Sequence, residues 1–137
     1  MRKDIMTVAV LLLLAGCGKS EGDKAQQMLE DIVSLYENGE YQSALDSIKV
    51  LRDRFPEAIE QRRAALKVWQ DASLKQTQND IAVTDSALQA VTRLMQSASD
   101  IATRNRLGVV RDSLQVRYET LCGMVRVIRK RQETTAK

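Results

Sequence analysis

Few side chains in this sequence have the types and spacing that catalysis requires. The chain of 137 residues has no histidine, which removes the commonest general base and a frequent ligand of transition metals. No pair of cysteines has the spacing of a zinc site, and no serine or glycine motif predicts a nucleophile or a phosphate loop. Neighbouring carboxylates have the spacing of solvated helix faces and helix starts, as in Glu30 and Asp31, Glu37 and Glu40, and Glu57 and Glu60. The sequence therefore predicts no catalytic residue, metal site or cofactor; a small hydrolase is the remaining enzymatic alternative.

Cys17 is the residue with the most informative surroundings. Arg2 and Lys3 precede an apolar run over residues 5–14, and two small residues then lead to the cysteine. A basic start, a short apolar run and a small-residue end are typical of a secretory signal peptide. The run is shorter than the roughly 18 to 20 apolar residues that span a bilayer. Residues 1–16 are therefore predicted to be a signal peptide.

The end of this segment, Leu14, Ala15, Gly16 and Cys17, resembles the lipobox of bacterial lipoproteins. The resemblance implies diacylation of the Cys17 sulfur, cleavage before Cys17 and acylation of the new amino group. Two or more acyl chains anchor a protein stably, whereas one chain binds only marginally. Gly18 stands where an acidic retention residue would follow the cysteine, which favours the outer membrane. We therefore expect a protein anchored in the bacterial outer membrane, on its periplasmic face or at the cell surface.

The charge and cysteine content of the mature chain limit its partners. The whole chain carries a net charge of +3. Loss of Arg2, Lys3 and Asp4 with the signal peptide leaves +2, which is too even a balance to predict nucleic-acid binding. With Cys17 carrying lipid, Cys122 has no cysteine in its own chain for a disulfide. Cys122 is predicted to be a partly buried apolar residue, and pairing with a second chain is the alternative.

The remaining sequence predicts a flexible tether followed by one all-α domain. Residues 17–24 have no hydrophobic periodicity and include two glycines, which indicates a lipidated, flexible tether. Residues 25–137 are then expected to form a single helical domain. Apolar residues recur at three- and four-residue steps over about 25–37 and again over about 41–54, and Pro56 ends the second helix.

This helix pair resembles a tetratricopeptide repeat. The residues that carry the resemblance are Gly39, Tyr41, Ala44, Leu45, Ile48, Leu51 and Pro56. The first helix departs from the pattern, because Ile32 stands where a small residue is usual and Met28 where a tryptophan is common. Residues 25–56 are therefore predicted to be a single repeat-like helix pair that the next helix covers, since a solenoid normally needs at least three repeats.

The same resemblance implies a groove for an extended peptide. Tyr36, Tyr41 and Trp69 are the candidate partner-binding residues, and packing of the same aromatic side chains in the core is the alternative.

Two heptad patterns follow. Residues Leu74, Ile81, Leu88 and Met95 are interleaved by Thr77, Thr84, Val91 and Ala98, and residues Leu107, Leu114, Leu121 and Ile128 by Val110, Arg117, Met124 and Arg131. In one unbroken helix the second stripe would be turned about 120° from the first. A reversal near residue 101 instead brings each large apolar residue opposite another. Residues 57–132 are therefore predicted to be a long antiparallel coiled-coil hairpin with a tail at 133–137; one long helix that pairs with other copies is the alternative.

The densest group of charges is Arg126, Arg129, Lys130 and Arg131. Basic residues in the last turns of a helix complement the helix dipole. The alternative is contact with an anionic lipid or glycan surface, because each cation near a charged membrane contributes about 1 kcal/mol.

The whole layout, including the stretch 111–118 before Cys122, resembles small lipoproteins of Gram-negative bacteria. The resemblance implies a location and an architecture but no activity. The expected function is that of a non-enzymatic protein–protein interaction module or adaptor in the cell envelope. Its partners would be membrane lipid through acylated Cys17 and another envelope protein, with no small-molecule substrate. A structural spacer that forms homo-oligomers through its heptads is the alternative.

Overall fold

The computed structural model describes residue 18 and residues 20–135, and these residues contain four helices. The helices are α1 (Glu21–Glu37), α2 (Tyr41–Arg54), α3 (Ile59–Ser97) and α4 (Ile101–Thr135). The predicted all-α fold is therefore confirmed. The predicted signal peptide and the predicted lipidation site, Cys17, lie outside the described residues.

Helix α1 begins four residues earlier than predicted. The Ser20 hydroxyl accepts a hydrogen bond from the Asp23 amide at 3.1 Å, and the Asp23 carboxylate accepts one from the Ser20 amide at 3.1 Å. This reciprocal arrangement is a capping box, which satisfies two amides that a helix start otherwise leaves unpaired. Residues 21–24 therefore belong to the helix, and the prediction of a flexible tether was wrong for them. The two glycines suggested a linker, but the cap stabilises a helix that contains one of them.

The turn between α1 and α2 depends on Gly39. Its φ angle is +80°, a left-handed conformation that a side chain disfavours. The Gly39 amide donates to the Tyr36 carbonyl at 3.0 Å, and the Glu40 amide donates to the Leu35 carbonyl at 2.9 Å. The last carbonyls of α1 are therefore satisfied before the chain reverses into α2.

Replacing Gly39 with alanine is expected to lower the free energy of unfolding by about 1 to 2 kcal/mol, because alanine pays the left-handed backbone penalty. Gly108→Ala is the matched control. Gly108 lies inside α4, and a Cβ placed there would meet Met95 Cε at an ordinary 3.8 Å. That change is expected to stabilise the chain by up to about 1 kcal/mol. Urea denaturation measures the free energy of unfolding of both variants. A decrease of the same size in the two would contradict the role of the turn.

The largest apolar core lies between α1, α2 and the first turns of α3. Its buried members are Ala25, Leu29, Ile32, Ile48, Leu51, Phe55 and Ala65. Two side-chain hydrogen bonds align the helices on α3. Gln61 donates to Gln26 of α1 at 3.5 Å, and Gln76 donates to Gln42 of α2 at 2.9 Å. Helix α1 therefore runs parallel to α3 and α2 runs antiparallel to it, so α3 covers the helix pair.

Helices α3 and α4 form the predicted antiparallel hairpin. Near its open end the Gln132 amide donates to the Asp71 carboxylate at 2.8 Å, and near its tip Met95 lies against Gly108. Asp100 begins α4, because its carboxylate accepts the Thr103 amide at 2.7 Å. This backbone hydrogen bond is the main reason that the pKa of Asp100 is lowered.

The seam on α4 differs from the prediction by one residue at three of the four interleaving positions. Leu121 and Ile128 are buried and Leu107 and Leu114 are half-buried, as expected. The residues predicted to interleave with them, Val110, Arg117, Met124 and Arg131, are all exposed. Their neighbours Tyr118, Val125 and Gln132 are half-buried instead. Seam residues in a heptad follow one another after three or four residues. From Leu114, the four-residue step places Tyr118 in the seam and leaves the Arg117 charge in water.

The helix also continues past the predicted end of the hairpin at residue 132. The hydroxyls of Thr134 and Thr135 donate to carbonyls four residues earlier, each at 2.9 Å. Gln70 of α3 donates to Thr135 at 3.3 Å, which holds the last turn against the hairpin. Residues 133–135 are therefore helical rather than a tail.

Candidate partner-binding groove

A groove separates α2 from α4. Within the described part of the chain, α4 packs against α3, and no Cα atom of α4 lies within 8 Å of a Cα atom of α1 or α2. Because α2 and α4 both run antiparallel to α3, they are parallel to each other, and α3 forms the floor between them. The space has a volume of about 640 Å³. We call it the α2–α4 groove.

The α2–α4 groove is mainly apolar. Its apolar lining consists of Leu45, Trp69, Leu121, Met124, Val127 and Ile128. Leu121 and Ile128 are buried against α3, whereas Met124 and Val127 are about half exposed, at 47% and 53%. The exposed pair covers no other described helix, so the groove presents unpartnered apolar surface to water. Exposed apolar surface of this kind, beside polar residues, commonly marks a binding site.

Trp69 connects the groove to the core. Its side chain is half-buried, packs against the cluster between α1, α2 and α3, and also lines the groove. The sequence left core packing and partner binding as alternatives for this residue. The structure places Trp69 where one ring can contribute to both.

The two tyrosines lie elsewhere. Tyr36 and Tyr41 flank the turn between α1 and α2, with ring centroids 5.8 Å apart and an angle of 52° between the planes. Both are half-buried, and neither lines the α2–α4 groove. The three predicted partner-binding aromatics are therefore not brought together, because the tyrosines pack on each other at the helix reversal.

Charged residues occupy the two ends of the groove. Arg131 lies at the end near Trp69, since the adjacent Gln132 bonds to Asp71, and Asp80 lies further along α3. The structure thus separates Arg131 from Arg126, Arg129 and Lys130, which the helix repeat places on another side of α4 and which are all exposed. Only Arg131 of the predicted basic cluster belongs to the groove.

Cys122 lies one turn after Tyr118 on α4. The thiol is free and half-buried. Charge interaction with this thiol is the main cause of the raised pKa of Tyr118. The position is compatible with the predicted role as a partly buried apolar residue.

Comparison with known proteins adds no functional information. No protein-family model matches the chain, and neither curated proteins nor solved structures provide a match. The resemblances to lipoproteins and tetratricopeptide repeats therefore rest on sequence spacing alone. Among the described helices, none has the length and apolar character needed to cross a membrane.

Proposed function

We propose that this protein is a lipid-anchored, non-enzymatic adaptor of the bacterial cell envelope that binds a segment of another protein in the α2–α4 groove. The observation that supports the proposal is the exposed apolar lining of the space between α2 and α4. A site for a macromolecule needs such a surface, with a large aromatic or Arg side chain near its centre. Trp69 supplies a large aromatic side chain at the Arg131 end of the groove.

The groove fits an amphipathic helix. A helix of this kind binds by placing apolar side chains at three- and four-residue steps into an apolar channel between parallel walls. Asp80 at one end and Arg131 at the other favour a partner with a basic group at the first end and an acidic group at the second. The partner in this proposal is therefore an amphipathic segment with opposite charges at its two ends.

The anchor would hold this groove near the membrane. Only Gly18 and Lys19 separate Cys17 from the Ser20 cap of α1. A span of this length reaches about 10 Å when extended. Acylated Cys17 would therefore keep the domain close to the outer membrane, where it would meet other envelope proteins.

A photo-crosslinking residue in place of Val127 is expected to capture a partner in living cells. The matched control is the same residue in place of Val109, which lies on the same helix, is 69% exposed and does not line the groove. The adaptor proposal predicts an adduct of one defined mass at position 127 and none at position 109, measured by gel mobility and mass spectrometry. Adducts of equal yield at both positions, or none at 127, would contradict it.

A self-associating spacer is the second candidate function. Val109 and Val116 are exposed and lie seven residues apart on α4, the repeat of a coiled-coil seam. If this stripe pairs two copies, the crosslink at position 109 has twice the mass of the chain. Sedimentation then shows a dimer, whereas the adaptor proposal predicts a monomer.

A further inference from the structure

Three arginines surround a second pocket, beside the α2–α4 groove. It lies between α2 and α3 and has a volume of about 320 Å³. Arg52, Arg62 and Arg63 line it, and no acidic residue of the described chain does. Trp69 lines both this pocket and the groove. We call it the arginine pocket.

The three guanidinium groups have more donors than the surrounding residues satisfy. Arg62 Nη1 donates to the Pro56 carbonyl at 2.6 Å, but its buried Nε has no acceptor among the described residues. Arg63 lies 3.5 Å from Glu60, and both of these side chains are largely exposed. Arg52 has no ion pair with any described carboxylate. Since each guanidinium presents five N–H groups in a planar fork, the pocket is suited to an anion with several oxygens.

The rest of the lining is apolar. Ile48 lies at its base, and Ile59 and Leu66 are 54% and 40% exposed. A pocket that combines guanidinium groups with exposed aliphatic side chains matches a ligand with an anionic head and a hydrocarbon part. A small hydrophilic anion would leave this apolar surface in water.

We propose that the arginine pocket binds the phosphate of an anionic membrane lipid. Arg52 and Arg63 contact the phosphate oxygens from the two sides of the pocket, and the spare N–H groups of Arg62 supply further donors. Ile59 and Leu66 contact the part of the lipid next to the headgroup. Arg–phosphate pairs are frequently bidentate, which gives the contact specificity as well as charge.

The position of the pocket favours a lipid as the source of the phosphate. Glu21 and Gly22, the first residues of α1, share a neighbouring pocket with Ile59. Cys17 precedes Glu21 by four residues, a span of about 14 Å when extended. The choice of a lipid therefore rests on the proposed acylation of Cys17, whereas the binding of a phosphate group does not.

The single tryptophan of the chain provides the measurement. Trp69 lines the arginine pocket, so lipids brominated near the top of the acyl chains should quench its fluorescence when they bind there. The full chain, purified from membranes, is reconstituted in vesicles with increasing fractions of brominated phosphatidylglycerol or brominated phosphatidylcholine. Quenching is expected to be half-maximal at a lower fraction of the anionic lipid. The mass of the purified chain reports separately whether Cys17 carries acyl groups.

The decisive variant is Arg52→Gln with Arg63→Gln, which leaves the partly buried Arg62 in place. Each cation at an anionic lipid surface is worth about fivefold in affinity, so the fraction of phosphatidylglycerol at half-maximal quenching should rise at least tenfold. The matched control, Arg93→Gln with Arg117→Gln, removes two exposed charges from the distal hairpin and should change nothing. Unchanged helical circular dichroism confirms that both variants fold.

Three outcomes would overturn the assignment. Equal quenching by both lipids excludes headgroup recognition. If the fraction of phosphatidylglycerol at half-maximal quenching rises equally in the pocket and control variants, the effect belongs to the overall charge of the protein and not to the arginine pocket. Relief of quenching by millimolar inorganic phosphate, which would show a site for soluble phosphate, overturns the lipid as the source.

Discussion

The Leu51→Ala variant is expected to lose about 3 to 5 kcal/mol of its free energy of unfolding. Leu51 is fully buried, with no exposed surface, in the core shared by α1, α2 and α3. Truncation removes the transfer free energy of the lost methyl groups and leaves a cavity that a packed core closes only in part. Since single domains are stable by about 5 to 15 kcal/mol, this change removes a large share of the total. Urea denaturation followed by circular dichroism measures the loss.

Leu94→Ala is the control for this prediction. Leu94 is an exposed leucine near the end of α3, so the same truncation there removes little buried surface. Its effect should stay within about 0.5 kcal/mol. Similar losses in the two variants would show that the helix pair and the start of α3 do not form the main core.

The bounds of α2 could be predicted from sequence because local signals determine them. Gly39 ends the preceding turn with a positive φ angle, and Pro56 prevents the helix from continuing. The start of α1 was predicted wrongly for a local reason as well. Ser20 and Asp23 form a capping box, but the glycines around them were interpreted as a linker.

The hairpin was predictable because large residues seven apart occur on both arms. The exact seam on α4 was not, since steps of three and four residues both satisfy a heptad. The structure selects Tyr118 over Arg117, which leaves the guanidinium in water. The free-energy cost of burying the Arg117 charge would have predicted the correct seam from the sequence.

Neither proposed binding surface could be predicted from the sequence pattern. The α2–α4 groove exists because α4 stands apart from α2, and its exposed members Met124 and Val127 fall outside the buried seam. The arginine pocket joins Arg52 of α2 to Arg62 and Arg63 of α3. Each of these arginines alone looks like an ordinary exposed helix charge, and only the packing of the two helices brings them together.

The Leu121→Ala variant is expected to loosen the hairpin and to cost about 2 to 4 kcal/mol. Among the described residues of α4, only Leu121 and Ile128 are buried. Among the described helices, α4 packs against α3 alone, so no other described helix compensates when one of these two side chains is truncated. The transfer and cavity costs of a leucine truncation therefore fall on a single interface. Urea denaturation measures the loss, and hydrogen exchange should show faster opening of α4 than of α2.

Met124→Ala is the matched control, because Met124 lies three residues further along the same helix and is about half exposed. Its loss should stay below about 1 kcal/mol. Protein concentration separates the hairpin from the alternative in which a long helix pairs with other copies. If the hairpin forms within one chain, the midpoint of unfolding of the Leu121→Ala variant is the same across a hundredfold range of protein concentration. A midpoint that rises with concentration would show that chains associate and would contradict a hairpin formed within one chain, because association links stability to the amount of protein present.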